Sequence, residues 1–577
     1  MAAMDTTGQL FARYLVAGDH GASDYFALLK ELVARRNSEG LSWQQEIDRV
    51  YALLHQEIIE NQGNPTEPVN FGTSGWRGRL GKDIFVRSVM VVTSAIVELY
   101  RDLERDNEPG RYLGVASFDE AQQRGCVLGF DNRFDGGVLA AAAANVLLTA
   151  GFTVHYAGES TTGVLSAAVL ELGAAFSVNL TPSHNPLEYG GYKYNAADAG
   201  PAATILTERI TVNARRLMTT DISATAGGAF SGRLMESAGM RPFDSLAAWK
   251  SLVRRNKMVH GLDLDRIIDE FQGRDDIVVA VDSVHGASRL HVRRLFADTA
   301  SDRLITLRDT ADVTFGGIAP EPSTANMKGV VAALAARPER LKLGAIIDPD
   351  GDRIRFTDGR KEIGMNQFGA MAYHFLHEHR GRRGMVAKTV ATSNMANRLA
   401  AAFGEELFEP KVGFKEFKPV IGRALVFFEE SDGISIIGHT PEKDAYIGLL
   451  LALDMVTATG KNLGEYLQDI EDLYGAYYPD RDGVAVRIKG KELLDTLARL
   501  EKYAPGATIN VGGEDKRITE VITLDGRKMI LDDGSWLMIR PSGTEPKIRF
   551  YVESRTADGT VHLVAAAREM LAEIGLL

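Results

Sequence analysis

Apolar residues recur at helical spacing near the start of the chain. Tyr25, Leu28 and Leu32 lie three or four positions apart, with charged residues between them. This pattern predicts helices over roughly the first sixty residues. We interpret residues 1–64 as a helical extension that packs against the first domain.

A second pattern occurs three times further along the chain. An apolar run ends in aspartate and is followed by a polar loop at Val127–Asp131, Val278–Asp282 and Gly344–Asp348. Short runs of this kind suit strands that are buried on both faces. Helical stretches follow, at 137–150 and 291–296. This order predicts an α/β fold with function at the carboxyl ends of the strands, and the uneven spacing indicates three related α/β domains rather than a regular repeat.

The last hundred or so residues mix strands and helices in another order, which predicts a small α+β domain with an antiparallel sheet. The predicted elements are strand 484–489, helix 492–503, a hairpin of 528–531 with 535–540, strand 547–552 and helix 561–574.

Composition and charge narrow the class of protein. The 577 residues exceed what one hydrophobic core supports, and 45% hydrophobic with 25% charged residues is ordinary for globular domains. No apolar run approaches twenty residues, so we expect no membrane span, and we expect no secretory signal. Cys126 is the single cysteine, which fits a reducing cytoplasm. The net charge of −12 argues against a nucleic-acid partner and calls for local clusters of cations if the ligand is an anion.

The segment 348–353, DPDGDR, is the strongest metal signal in the sequence. Asp348, Asp350 and Asp352 alternate around a turn at Gly351 after a predicted strand. Carboxylate oxygens are the ligands that Mg²⁺ prefers, often with a phosphate completing its shell. A calcium EF-hand is a poor fit because the later glutamate is missing and a strand precedes the loop. A solvated acidic turn is the alternative.

Five other segments carry candidate chemistry. TPSHNP at 181–186 offers a serine, Ser183, between two prolines with a histidine beside it, and a lysine follows ten residues later. RPSGTEPK at 540–547 and FGTSGWRG at 71–78 combine hydroxyls, glycines and cations, which suits phosphate binding, although neither is a nucleotide P-loop. EESDG at 429–433 and HTPEKD at 439–444 offer acceptors and a lysine for a phosphorylated sugar. Taken singly, each could instead be a surface loop.

Together these segments resemble those of the α-D-phosphohexomutases. SGWRG, TPSHNP, DPDGDR, EES with HTPEKD, and RPSGTEPK occur in the family's order between about residue 65 and the end of the chain. The resemblance implies three related α/β domains with mixed sheets and a smaller C-terminal α+β domain around a central cleft. The boundaries that we expect are 65–212 for domain I with the phosphoserine loop, 213–327 for domain II, 328–470 for domain III with the metal and sugar loops, and 471–577 for domain IV with the phosphate-binding loop.

The resemblance also implies roles for individual residues. Ser183 carries the phosphoryl group, and its phosphate joins Asp348, Asp350 and Asp352 around Mg²⁺. The other residues expected to steady phosphate or move protons are Arg77, His184, Lys193 and Arg353. The residues expected to bind the sugar and its phosphate are Glu429, Ser431, His439, Lys443, Arg540, Ser542, Gly543 and Thr544.

Two positions depart from the family pattern beside the sugar-binding residues. Phe428 and Asp432 stand where many members have glycine, so the resemblance specifies the reaction more firmly than the sugar. The segment 191–195 followed by 200–202, with serine-histidine in TPSHNP, most resembles the glucose-specific members.

The activity implied is interconversion of glucose 1-phosphate and glucose 6-phosphate, with Mg²⁺ as cofactor and glucose 1,6-bisphosphate as intermediate and activator. Mannose phosphate, alone or in dual specificity, is the alternative, followed by glucosamine or pentose phosphate. A phosphatase and a non-catalytic phosphosugar-binding protein are remoter alternatives. We expect a cytoplasmic monomer or homodimer whose partner is a small phosphosugar.

Overall fold

The computed structural model describes residues 7–72, 74–103, 105, 107–220, 237–297, 301–542 and 547–577. The chain starts with the predicted helical extension, whose helices are α1 (Thr7–Tyr14), α2 (Tyr25–Glu39) and α3 (Gln44–Glu60). Asp24 caps α2 by accepting a hydrogen bond from the backbone N–H of Ala27 at 3.0 Å. Leu28 and Leu32 are buried in the same apolar cluster as Trp76 of the first sheet. The extension therefore shares the core of the domain that follows it.

The first sheet has six strands and is mixed. Its strands are β1 (Trp76–Arg79), β2 (Cys126–Phe130), β3 (Val154–Glu159), β4 (Phe176–Leu180), β5 (Tyr189–Ala196) and β6 (Met240–Pro242), and its helices are α4 (Val86–Arg101), α5 (Asn107–Gly110), α6 (Phe118–Arg124), α7 (Gly136–Thr149), α8 (Thr162–Leu172), α9 (Thr204–Leu217) and α10 (Ser245–Arg255). The order is β1-β5-β4-β2-β3-β6, and β2 and β4 run parallel. The carboxyl ends of β2 and β4 therefore meet at one edge, where function is expected.

The second sheet has five strands in the order β11-β10-β9-β7-β8. The elements are α11 (Lys257–His260), α12 (Leu264–Gly273), β7 (Ile277–Asp282), α13 (Val292–Leu295), β8 (Leu304–Leu307), α14 (Thr324–Ala335), β9 (Leu341–Ile347), β10 (Ile354–Thr357) and β11 (Glu362–Ile363). β7 pairs in parallel with β8 and β9, and β9 pairs antiparallel with β10.

This topology corrects the predicted boundary at residues 327 and 328. Two of the three aspartate-ended strands, β7 and β9, are parallel neighbours in one sheet, and α14 leads from the edge strand β8 across β7 to β9. The metal loop therefore belongs to the second domain and not to the third. Parallel strands of one sheet have the same apolar pattern as strands of separate domains, so the pattern alone could not distinguish the two cases.

The third sheet contains four strands in the order β13-β12-β14-β15. Its elements are α15 (Met365–His374), continued by a π-helical turn (Phe375–His379), β12 (Val386–Lys388), α16 (Met395–Phe403), β13 (Leu407–Phe408), β14 (Val426–Glu429), β15 (Gly433–Ile436), α17 (Ala445–Thr459) and α18 (Leu463–Tyr474). Buried residues of the second and third sheets form one continuous apolar cluster. These two domains therefore share a core.

The fourth sheet is antiparallel throughout, in the order β16-β21-β20-β19-β18-β17. Its elements are β16 (Tyr478–Ala485), α19 (Gly490–Leu497), β17 (Thr508–Val511), β18 (Glu514–Ile522), β19 (Arg527–Leu531), β20 (Trp536–Pro541), β21 (Lys547–Ser554) and α20 (Ala557–Glu573). The predicted hairpin is confirmed as β19 and β20. This domain has its own core.

The described strands thus form three mixed sheets and one antiparallel sheet, with helices throughout, which confirms the predicted fold class. None of the helices in the described ranges has the length and apolarity that a bilayer span requires.

Candidate active site

Ser183 lies in the loop that follows β4, with its side chain fully buried. Its φ is 58°, in the left-handed region, which costs a serine on the order of 1 kcal/mol and persists only where the surroundings hold it. The Thr181 hydroxyl accepts a hydrogen bond from the Ser183 N–H at 2.9 Å and donates to Asp131 at 2.6 Å. Asp131 is the residue after β2, so the parallel pair of strands positions the serine.

Arg133 binds backbone carbonyl groups of the same loop. Its guanidinium donates to the carbonyl oxygens of Ser183 at 2.7 Å and Pro186 at 2.6 Å. The Arg133 side chain is buried and lies 4.8 Å from the ring centroid of Phe315. Burial raises the pKa of the neighbouring Asp131 carboxyl to about 7, while Arg133 opposes the rise. Sequence reasoning did not identify Arg133, although it noted the loop that contains it.

Asp348, Asp350 and Asp352 converge on the turn between β9 and β10. Each offers an oxygen atom, and these oxygens lie within 4.8 Å of one another. All three side chains are buried, and the Ser183 Oγ donates to Asp348 at 2.8 Å and to Asp352 at 3.3 Å. The turn needs Gly351, whose φ is 64° and where a Cβ would lie 2.6 Å from a carbon of Thr161.

These oxygens fit a hard divalent cation. Asp350 Oδ1 is buried and, among the described residues, has no hydrogen-bond partner, although its other oxygen accepts from the Thr162 hydroxyl at 2.8 Å. Burial raises the pKa of Asp348 well above its usual value, and the charges of Asp352 and Asp350 add to the rise. A cluster of buried carboxylates with an unpartnered oxygen is suited to Mg²⁺.

Three cationic side chains surround the carboxylates. The Lys193 ammonium donates to Asp350 at 2.5 Å and to Asp352 at 2.8 Å. Lys443 lies 3.2 Å and Arg353 3.6 Å from Asp352. Burial alone would raise the pKa of Asp352, but Lys193 and Lys443 lower it well below its usual value. Burial would lower the pKa of Lys193, but Asp350 and Asp352 raise it, so this lysine is charged at neutral pH.

His184 and Arg77 are two further residues of the predicted catalytic set. The His184 Nδ1 is 3.6 Å from a carboxylate oxygen of Glu321, which comes from the loop before α14. Burial, followed by the charge of Arg353, lowers the pKa of His184 to about 4, so its ring is neutral near pH 7. The Arg77 guanidinium donates to Asn185 Oδ1 at 2.5 Å. Glu321 was not predicted, because nothing local in its sequence marks it.

Two of the residues predicted to bind the sugar, Glu429 and Ser431, lie at the end of β14 and on the turn that leads to β15. Glu429 is buried, with an oxygen 3.5 Å from the Lys443 ammonium. Ser431 is half-buried at the turn. Glu430 accepts hydrogen bonds from the hydroxyl of Thr389 at 2.8 Å and from that of a second threonine in the same loop at 3.3 Å. These two hydrogen bonds hold the turn against the loop that follows β12.

The two departures from the family pattern have different structural consequences. The Phe428 ring is fully buried against Gly369 of α15, where a Cβ would lie 2.1 Å from the ring. Phe428 therefore packs in the core and does not face the sugar. Asp432 has φ 68° and accepts hydrogen bonds from Arg355 at 2.8 and 3.3 Å.

The structure does not bring His439 to the cleft, contrary to the prediction that it binds substrate. Its side chain is fully enclosed, and its Nε2 lies 2.6 Å from Asp444 Oδ2, which also accepts from the Trp249 indole N–H. The Trp249 ring lies edge-on at 5.7 Å. The motif HTPEKD placed a histidine near Lys443 in sequence, but the residue turns inward.

Only some of the described residues in the segments FGTSGWRG at 71–78 and RPSGTEPK at 540–547 lie near the site. A pocket beside Lys193 and Lys443 is lined by Phe71 and Ser74 of the FGTSG segment. The Arg540 Nε lies 3.1 Å from Asp525. Burial alone would lower the pKa of Arg540, but Tyr551 and Asp525, with a smaller contribution from Glu430, raise it above its usual value. The Ser542 N–H bonds the Lys547 carbonyl at 2.8 Å. Gly543 and Thr544 lie outside the described residues.

Comparison with known proteins decides the family. Models of the phosphoglucomutase/phosphomannomutase family match residues 68–220 as α/β/α domain I, 263–361 as domain II, 365–474 as domain III and 484–570 as the C-terminal domain. The chain belongs to this family. Members of the phosphoglucomutase/phosphomannomutase family are enzymes that isomerise phosphosugars by phosphoryl transfer, and this protein is an intramolecular phosphotransferase of that kind.

Relatives of similar distance differ in the sugar they are named for. The chain is 26% identical over 518 residues to the phosphoglucomutase/phosphomannomutase of Thermococcus kodakarensis, covering 88% of this chain and 97% of that protein. It is 25% identical over 514 residues to a proposed phosphoglucosamine mutase of Methanothermobacter thermautotrophicus, covering 88% and 99%. A crystal structure of a proposed phosphomannomutase from Thermus thermophilus has 25% identity and a TM-score of 0.68 over 88% of this chain and 99% of that one. These similarities define the phosphohexomutase family and not the sugar.

Proposed function

We propose that this enzyme interconverts glucose 1-phosphate and glucose 6-phosphate through a phosphoserine at Ser183. The observation that carries the proposal is the buried Ser183 hydroxyl, 2.8 Å from Asp348 in a cluster of three carboxylates. The glucose preference rests on the resemblance of TPSHNP and of residues 191–195 to glucose-specific members. Mannose phosphate, alone or in dual specificity, is the second candidate.

Mg²⁺ would be held by Asp348, Asp350 and Asp352, and when bound it would neutralise charge on the transferred phosphoryl group. The charges support this assignment. Three cationic side chains, those of Lys193, Lys443 and Arg353, lie next to the three carboxylates. A divalent cation and a doubly charged phosphoserine add equal and opposite charge, so the net charge of the site is unchanged when both are present.

In the proposed transfer, a sugar hydroxyl oxygen bonds to the phosphorus as the bond from phosphorus to the Ser183 oxygen breaks. The hydroxyl proton passes to Nε2 of His184, which is neutral near pH 7 and whose Nδ1 faces Glu321. His184 then gives a proton to the released Ser183 oxygen, so that the serine hydroxyl forms again. Lys193 remains protonated and stabilises the developing negative charge. The resulting glucose 1,6-bisphosphate turns over in the cleft and returns its other phosphate to Ser183.

The remaining groups would bind rather than react. Glu429 and Ser431 would accept and donate hydrogen bonds to sugar hydroxyls, and Lys443 would neutralise a phosphate. We propose that Arg540 and Ser542, with the neighbouring Gly543 and Thr544, bind the phosphate that is not being transferred. The buried, unpaired Cys126 suits a reducing compartment, and we propose the cytoplasm.

The test uses Ser183→Ala in an assay of glucose, mannose, glucosamine and ribose 1-phosphates with Mg²⁺ and a trace of the matching bisphosphate. We expect a loss of at least about a thousandfold, because no hydroxyl remains to carry the phosphoryl group. Ser94→Ala removes a buried hydroxyl of α4 that has no hydrogen-bond partner among the described residues, and serves as the control. EDTA should abolish wild-type turnover and Mg²⁺ should restore it. Full activity of Ser183→Ala, or faster release of phosphate than isomerisation, would overturn the proposal.

A further inference from the structure

Asp432 lies where the second, third and fourth domains meet. It closes the turn between β14 and β15, and its carbonyl oxygen accepts a hydrogen bond from the N–H of Ile354, the first residue of β10 after the metal loop, at 3.0 Å. Its carboxylate accepts from the Arg355 guanidinium at 2.8 and 3.3 Å. Arg481, on β16 of the fourth sheet, lies 3.9 Å from the same carboxylate. One side chain of the sugar-binding turn therefore contacts two other domains.

Arg481 lies on the face of the fourth sheet that packs on the third domain. In the antiparallel register Arg481 is directly opposite Tyr551, and Tyr551 is opposite Met538, so the three side chains share a face. Tyr551 and Met538 form a buried cluster with Val390 and Ala391, which follow β12. The strand that carries Arg481 is thus held over the sugar-binding turn by apolar contacts.

The Arg481 guanidinium is held loosely. At 3.9 Å from Asp432 it is beyond hydrogen-bond distance, and it makes no side-chain hydrogen bond within the described part of the chain. Its side chain is 36% exposed. The Arg481 charge also acts on Glu321, beside His184, and on Glu430. At Glu321 the contact with His184 is the larger cause of the lowered pKa, and Arg481 adds to it. At Glu430 burial and Glu429 raise the pKa, and Arg481 opposes the rise.

A guanidinium with free N–H donors beside a site of phosphoryl transfer is suited to bind a phosphate group. Arginine binds phosphate with paired hydrogen bonds that are stronger than a single loose ion pair. The Asp432 carboxylate is already satisfied by Arg355, so it can release Arg481 without leaving a buried charge unpaired. Glycine at this position would offer neither contact.

We propose that Asp432 is a positioning residue that, with Arg355, ties the sugar-binding turn to the metal loop, and that holds Arg481 of the fourth domain at the mouth of the site until the phosphate of the sugar takes it. This inference rests on the proposed function. Arg481 is then a phosphate-binding residue of the fourth domain, and Asp432 acts through it.

The test measures KM, kcat and the melting temperature for Asp432→Asn, Arg481→Gln and the double variant. Asparagine tolerates the left-handed backbone at 432, so that variant removes charge and leaves the turn intact. We expect Arg481→Gln to raise KM about tenfold and change kcat less than about twofold, since it removes a binding contact. Arg481→Lys should recover part of the loss. If Asp432 acts through Arg481, the double variant should have a KM within about twofold of Arg481→Gln.

The control is Asp265→Asn, which removes the partner of Arg254 in an exposed ion pair at 2.8 Å on α12. It should leave KM unchanged. An active wild-type enzyme in which Arg481→Gln keeps its KM, or in which Asp432→Asn lowers only the melting temperature, would overturn the inference. A wild-type enzyme that isomerises none of the four sugar phosphates would instead refute the proposed function.

Discussion

The Lys193 ammonium gives the most quantitative test of the charge balance in the site. Lys193→Met keeps the length of the side chain and removes its charge, leaving Asp350 and Asp352 without their nearest partner at 2.5 and 2.8 Å. Lys193 is 5% exposed, so water does not replace the lost contact. Breaking a buried ion pair by removing one partner costs about 3–5 kcal/mol. We expect a loss of that size in urea unfolding measured in EDTA.

Magnesium should reverse part of the loss. A ligand at a hundred times its Kd stabilises the folded state by about 2.7 kcal/mol, and a divalent cation among the same carboxylates supplies the missing charge. Because the pKa of Lys193 lies above its unfolded value of 10.5, raised by Asp350 and Asp352 against the effect of burial, its contribution to stability is fully present below pH 10.5 and is lost only above it. The effect of Lys193→Met on the free energy of unfolding can therefore be measured at any pH near neutrality.

The control is Lys361→Met, where the ammonium is half exposed and 3.5 Å from Glu471. An ion pair of that kind contributes less than about 1 kcal/mol. A Lys193→Met variant no less stable than Lys361→Met in EDTA would refute the argument from charge, as would a loss that Mg²⁺ does not reduce.

Two further predictions concern stability elsewhere in the chain. Burial lowers the pKa of His260 to about 3, and its neutral ring accepts from the Leu262 N–H and faces the Val253 carbonyl, both at 3.1 Å. As the pH falls, the unfolded chain therefore binds this proton before the folded protein does, and stability is lost between pH 6.5 and about 3. His260→Gln should reduce the slope of unfolding free energy against pH by up to about 1.4 kcal/mol per pH unit, as measured by urea unfolding between pH 4 and 6. Gly369→Ala would place a methyl group 2.1 Å from the Phe428 ring and should cost about 1–3 kcal/mol. Adding Phe428→Leu should reduce that cost, and an additive double variant would contradict this interpretation.

Much of the site could be predicted from the sequence because its residues lie in short loops at strand ends. Ser183 and the three aspartates lie in the loops after β4 and β9, and the structure brings these loops together, while the roles of the four residues stay predictions. The order of strands was harder to predict, since the parallel pairing of β7 with β9 depends on the crossover and not on either strand alone.

The functional residues that sequence reasoning missed contact residues that are far away in the sequence. Arg133 contacts a loop fifty positions away, and Thr162 reaches Asp350 across 188 positions. Neither belongs to a motif with recognisable spacing. His439 was misplaced for the opposite reason, because it lies in a motif but its ring bonds to Asp444 inside the core.

The contact between Phe428 and Gly369 also bears on the order in which substitutions at these two positions arose during evolution. With alanine or any larger residue at 369, the phenylalanine ring would be displaced at a cost in stability, whereas glycine at 428 leaves space for either. If an ancestor had glycine at 428 and a larger residue at 369, we expect that the change to glycine at 369 came before the change to phenylalanine. The order of these two substitutions can be checked by reconstructing ancestral sequences.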